Sequence, residues 1–168
     1  IKILSRASKR LKFDEFFFLQ LHLIKIRKLK KNKYRGYQLD NIGPLFNNFY
    51  NNFLFFKLTS AQKRVVKEIR SDVKKSQQMN RLLQGDVGSG KTLVALLSML
   101  MAVDNNYQAC LMAPTEILAQ QHFETIKGFL KEQEISVALL TGSTKSKERR
   151  KLHQYLESGE INILIGTH

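Results

Sequence analysis

The eight residues at 85–92, GDVGSGKT, constrain this chain more than any other feature. They match the pattern GxxxxGK[ST] in full and stand between a short apolar run, RLLQ at 81–84, and a helix-like stretch beginning TLVALL. A polyphosphate has to be wrapped by main-chain N–H groups at close range, and Gly85, Gly88 and Gly90 keep Cβ atoms out of the way while Ser89 completes the bend. The first turn of the following helix offers unsatisfied N–H groups to the same anion. Lys91 adds a point charge for the β and γ phosphates and Thr92 a hydroxyl for Mg²⁺, so these two are the candidate catalytic residues and Thr92 the candidate metal contact. Asp86 is an unfavourable phosphate neighbour and reads as a loop or partner contact. The pattern indicates a nucleoside triphosphate without saying what its binding accomplishes.

The surroundings of this loop alternate regularly. Apolar runs at 81–84, 108–113, 137–140 and 161–165 read as strands, and the segments between them carry helical periodicity. Leu93, Leu96, Leu97 and Leu100 form one helical stripe; Ala119, Phe123, Ile126 and Leu130 form another. Four strands joined by helical crossovers predict a parallel sheet flanked by helices, with ligands gathering at the strands' C-terminal ends. Thr59 followed by Gln62 has the spacing of a capping box and opens a further helix. Cys110 reads as a core residue of the second strand, and as the sole cysteine it cannot close an internal disulfide, which fits a reducing, cytoplasmic setting. His22, His122 and His153 lack metal-ligand spacing.

Residues 1–57 differ in character. Of the formal charge of +14, +10 falls in residues 1–58, a balance suited to a polyanionic partner and also the bland outcome of a Lys- and Asn-rich composition. Residues 8–31 predict a long helix whose apolar side chains (Phe17, Leu21, Ile24; Leu19, Leu23, Ile26) wrap most of the way round, so that it should pack between other elements, with a membrane-surface helix as the rival. The apolar run 16–26 is interrupted by Gln20, His22 and Lys25 and is too short to span a bilayer, and the basic cluster at 25–33 lies on the wrong side of it for a secretory signal. Residues 41–56, with Asn47, Asn48, Asn51 and Asn52 among six aromatics, show neither helical nor strand period and read as a connecting segment.

Taken together, LTSAQ at 58–62, GDVGSGKT at 85–92, APTEILAQQH at 113–122, TGS at 141–143 and GTH at 166–168 resemble, in order and spacing, the front half of the motor of superfamily-two DNA helicases, and within them the RecG-type ATP-dependent helicases of branched DNA. RLKFDEFFFLQ at 10–20 is similar to the helix that precedes such motors. The transcription-repair coupling translocases share the GDVG start and differ at Ser89 and Leu93. The resemblance implies an α/β fold, an incomplete RecA-like P-loop NTPase lobe at 58–168 preceded by a helical connector at 1–57. It implies ATP with Mg²⁺, and Gln62 reading the adenine edge, although Gln62 equally suits the capping box. It further implies that Pro114, Thr115 and Glu116, with Gly142 and Thr167, contact a DNA backbone, where an ordinary strand-to-helix turn is the alternative for the first three. Lys145, Lys147, Arg149, Arg150 and Lys151 would add charge beside that strand or form a solvated helix face.

The start at Ile1 and the stop at His168, directly after an apolar run, suggest a piece of a longer chain, cut before the acidic Walker B motif and lacking a second motor lobe and an upstream junction-binding domain. The expected partner is branched, single-stranded or duplex DNA, not a membrane. These residues alone should at most bind nucleotide. The competing readings are a transcription-repair coupling translocase and a non-catalytic basic DNA-binding module.

Overall fold

The computed structural model describes residues 2–54 and 56–168, with the backbone alone for residues 2, 3 and 30–33. Ile1, Phe55 (one of the six aromatics of the 41–56 segment) and the lysine side chains at 30, 31 and 33 of the basic cluster therefore lie outside the description. Three parallel strands, β1 (Ala109–Met112), β2 (Val137–Leu140) and β3 (Ile163–Gly166), form a sheet of order β1-β3-β2. Helix α5 (Glu116–Leu130) connects β1 to β2 and α6 (Ser146–Glu157) connects β2 to β3, so β3 inserts between its predecessors as crossover connections allow. The predicted strand at 137–140 is found residue for residue; the neighbouring strands are shorter than their apolar runs.

Residues 81–84 do not form a fourth strand. They have no regular structure and pair with no strand among the described residues; Leu83 turns into the core while Leu82 stays exposed. An apolar run records which side chain is buried, whereas a strand also needs a neighbouring ladder.

The core lies on one face of the sheet. Ala109, Leu111, Val137, Leu139, Ile163 and Ile165 share that face by register and meet helices α4 (Lys91–Val103) and α5. Helix α4 is apolar almost all round, and Leu93, Val94, Leu96, Leu97, Met99, Leu100 and Met101 are buried, because it is enclosed by β1, by α3 (Ser60–Val73) and by α2 (Pro44–Asn48). The predicted α5 stripe also holds, with Ala119, Ile126 and Leu130 buried and Phe123 packed beside them. Cys110 is a correction: it points to the other face of an edge strand and is exposed, together with Met112.

Two expectations for the N-terminal part are also overturned. Helix α1 (Lys2–Lys33) is present and longer than predicted, as a run without Gly or Pro permits, yet it does not pack between other elements: Leu11, Phe16 and Phe18 are all more than 60% exposed. Its apolar side chains instead meet one another locally, as in the stacked pair Phe13 and Phe17, ring centroids 5.7 Å apart. The 41–56 segment, read as irregular, contains α2 followed by a π-helical turn (Phe49–Phe53). Phe46 and Phe49 enter the core, Phe49 meeting Phe129 edge to face. The signal was hidden because two short turns bury one aromatic each and never complete a period. Among the described residues no helix is long and apolar enough to cross a membrane.

Candidate nucleotide loop and strand-end surface

Glycine at 88 and 90 is required by the backbone, with φ of +80° and +79°, a region costly for residues with a Cβ. Gly90 is the N-cap of α4, and its carbonyl accepts from the Leu93 and Val94 amides. The Lys91 and Thr92 amides therefore have no intrahelical acceptor and remain for an anion. The Ser89 amide donates to the Asp86 carbonyl at 3.1 Å and closes the bend. Lys91 folds back on it, its Nζ donating to the carbonyls of Gly85 at 2.9 Å and Asp86 at 2.7 Å. The ammonium thus sits over the loop.

The start of α3 is tied to the same loop. Thr59 Oγ1 accepts from the Gln62 amide at 3.2 Å, and Gln62 Oε1 accepts from the Thr59 amide at 2.9 Å, a complete capping box. The other end of the Gln62 amide group donates from Nε2 to the Ser89 carbonyl at 2.9 Å. A Cβ at Gly90 would stand 2.4 Å from that Nε2 and displace the Gln62 side chain, in addition to the strain at positive φ. The capping-box reading of Gln62 is therefore present in the structure, and its amide keeps one N–H and one oxygen lone pair unused by these contacts.

A second tie was not anticipated from the sequence. Arg81, at the head of the run into the loop, donates to Glu68 Oε2 at 2.6 Å and to Asp72 Oδ2 through Nε and a terminal nitrogen, fastening that run to α3. The Arg81 hydrogen bonds, reinforced by Lys75, hold the Asp72 carboxyl below its ordinary value of 3.8. Asp104, just past the other end of α4, plays a comparable part: its carboxylate accepts from the amides of Gly43, Leu45 and Phe46 at 3.1, 3.0 and 2.9 Å, capping α2 from a distant part of the chain. Asn105 adds a two-way contact with the backbone of Asn41. Neither pairing has a local signature, since the partners are far apart in sequence.

The other candidate residues collect at one edge of the sheet. Met112, Gly166 and Leu140 lie abreast by register, so the segments holding Pro114 and Thr115, Thr167, and Gly142 leave the three strands side by side. The ladder runs one step further through Ala113 N to Gly166 O, 2.8 Å, and Thr167 N to Leu140 O, 3.3 Å. Thr115 is the N-cap of α5, its Oγ1 accepting from the Leu118 amide at 3.3 Å, which leaves the Glu116 and Ile117 amides without intrahelical acceptors. The Glu116 side chain turns away to Ser143, whose amide donates to Oε1 at 2.9 Å. Thr141 is buried; its amide donates to Thr144 Oγ1, and its carbonyl accepts from Arg149 at 2.8 Å. Of the basic run, only Arg149 is held in this way; Lys145, Lys147, Arg150 and Lys151 are exposed, as a solvated helix face would be.

The profile of the DEAD/DEAH box helicases matches residues 59–168, more than half of the chain. The chain belongs to the DEAD/DEAH box helicase family. Among curated relatives, the ATP-dependent DNA helicase RecG of Synechocystis sp. is 47% identical over 165 residues, 98% of this chain and 20% of the relative. The proteins of that name from Bacillus subtilis and Thermotoga maritima are 43% and 46% identical, again over 98% of this chain and over 24% and 21% of their own lengths. The chain thus spans about a fifth to a quarter of these relatives. A solved structure of RecG bound to a three-way DNA junction superimposes with a TM-score of 0.88 at 44% identity, over 98% of this chain and 22% of that one. A Saccharomyces cerevisiae Dbp5 complex with ADP, 23% identical with a TM-score of 0.50 over 76% of this chain and 32% of that one, shares the fold. The RecG-type resemblance drawn from the motifs is borne out, and so is the RecA-like motor-lobe fold.

Proposed function

We propose that residues 58–168 are the front part of the first motor lobe of an ATP-dependent DNA helicase that remodels branched DNA, such as forks and recombination junctions, and that residues 1–57 connect it to a junction-binding domain upstream. The observation that carries this reading is the loop at 85–92, shaped for a phosphate on the first turn of the most buried helix, in the same chain as three strand-end segments side by side on one edge, one of which leads into the open amides at the start of α5. Relatives named as ATP-dependent DNA helicases, one of them solved on a three-way junction, support ATP and branched DNA as the ligands. A cytoplasmic setting agrees with this.

The loop fits a triphosphate: positive-φ glycines open it, a Cβ at 90 would invade it, and Lys91 already lies across its carbonyls. The backbone amides of residues 88–92 and the Lys91 ammonium hold the phosphates, while the remaining valences of the Gln62 amide group reach for the adenine edge. Among the described residues no group of three His, Cys, Asp or Glu side chains could hold a metal. Mg²⁺ would come bound to phosphate oxygens, with the Thr92 hydroxyl as a contact from this chain. Bound ATP supplies the hydrolysable phosphoanhydride. On the opposite task, the open amides at the start of α5, with Pro114, Thr115, Gly142 and Thr167, grip a nucleic-acid backbone.

The test uses the intact protein. Forked DNA should stimulate its ATPase more than linear duplex of equal length, and Lys91→Ala should remove turnover. Stimulation that requires RNA polymerase instead of a branch would select the coupling translocase, and DNA binding without turnover would select a binding module.

A further inference from the structure

We infer that Glu116 is a positioning residue that latches two DNA-gripping segments together and does not itself touch DNA; this rests on the strand-end reading above. Its side chain leaves the first turn of α5 and accepts the Ser143 amide across 27 positions of sequence, at 2.9 Å. The carboxylate also lies close to the preceding residue, where a Cβ built on Gly142 would stand 2.9 Å from the same Oε1. An ionised carboxylate facing a backbone N–H makes a charge-assisted bond, stronger than a neutral one. A carboxylate directed at a phosphodiester would instead be repelled.

The consequence concerns the geometry of the grip. Pro114 and Thr115 sit on the β1 to α5 connection, and Gly142 and Ser143 on the β2 to α6 connection; these join strands that are not neighbours, because β3 lies between them. The Glu116 latch spans that gap directly. Thr141, anchored through Thr144 and Arg149, holds the far side of the same segment, so the latch fastens one fixed element to another. Holding the two segments at one separation preorganises the grip, so uncoupling them costs affinity for DNA without altering the nucleotide loop.

The test compares Glu116→Ala and Glu116→Gln with the parent in the intact protein. Glu116→Ala should raise the DNA concentration for half-maximal ATPase about tenfold, the effect of losing one well-made charged hydrogen bond, with kcat and the KM for ATP unchanged. Glu116→Gln, which keeps an acceptor oxygen, should recover most of that loss. Tighter DNA binding in both Glu116 variants would mean that the side chain merely repels phosphate and would overturn the latch. Hydrogen exchange at the Ser143 amide reads the latch without DNA: protection should fall in Glu116→Ala, and unchanged protection would refute it. Because this last readout needs no helicase activity, failure of the functional reading and failure of the latch are told apart.

Discussion

Single residues in this chain act mostly by holding two segments at once, and that makes their substitutions informative. Gly90 combines a positive φ with a 2.4 Å approach to Gln62 Nε2, so Gly90→Ala must both strain the backbone, by about 1–2 kcal/mol, and push the Gln62 side chain off the loop. Nucleotide affinity, measured by titration of the intact protein, should fall more than about tenfold, the equivalent of 1.4 kcal/mol; an unchanged affinity would show that the loop adapts freely. Asp104→Ala withdraws the acceptor for three amides at the start of α2 and should cost about 2–3 kcal/mol, with Asp104→Asn intermediate. Thermal unfolding followed by circular dichroism checks this ordering. What the sequence made legible at this scale were residues whose chemistry follows from local spacing: Lys91, Thr92, the phosphate-loop glycines and the Thr59–Gln62 box. Asp104, Arg81 and the Glu116 contact escaped because each meets a partner that only the folded chain brings near, and nothing local distinguishes an aspartate that caps another helix from one that faces water.

Among the elements, helices declared themselves better than strands. Helix α4 could be read from the stripe Leu93, Leu96, Leu97 and Leu100 because a helix satisfies its own hydrogen bonds and so shows its period locally. The 81–84 run could not be resolved in the same way, since extended backbone becomes a strand only when a neighbour supplies the ladder. The aromatic turn at 44–53 failed for the opposite reason, being too short to show its period while still burying Phe46 and Phe49. The clamp between α3 and the 81–84 run carries a pH signature. Asp72 has its pKa lowered on folding, so its contribution to stability is complete above the unfolded value near 3.8 and is lost as pH falls through the folded value below it. The melting temperature of Asp72→Asn should therefore lie slightly below that of the parent at neutral pH, with the gap closing under acid conditions as Asp72 protonates. A gap that stayed constant down to the acid limit would contradict the assignment of the shift to this clamp.

Over the whole molecule, the division between connector and motor lobe runs through a packed interface. Phe46 and Phe49 belong to the core around α4, and Leu39, Ile42, Leu45, Tyr50, Phe53 and Leu54 pack against it. Shortening the chain to begin at residue 37 should leave the lobe nearly as stable as before, whereas beginning at residue 58 should cost about 3–6 kcal/mol for the two buried phenylalanines alone. Denaturant unfolding of the two shortened chains checks this, and equal stabilities would show that the aromatic turn merely rests on the lobe. The motifs foretold the α/β motor-lobe fold; that its core reaches back into residues 39–54 could be seen only from the packing. Throughout, the account depends on the 85–92 loop taking a nucleoside triphosphate. Titrating the intact protein with a fluorescent, non-hydrolysable ATP analogue tests that most directly: saturable binding that requires Mg²⁺ and disappears in Lys91→Ala is the predicted result, and binding that is absent, or that survives loss of Lys91 undiminished, would contradict it.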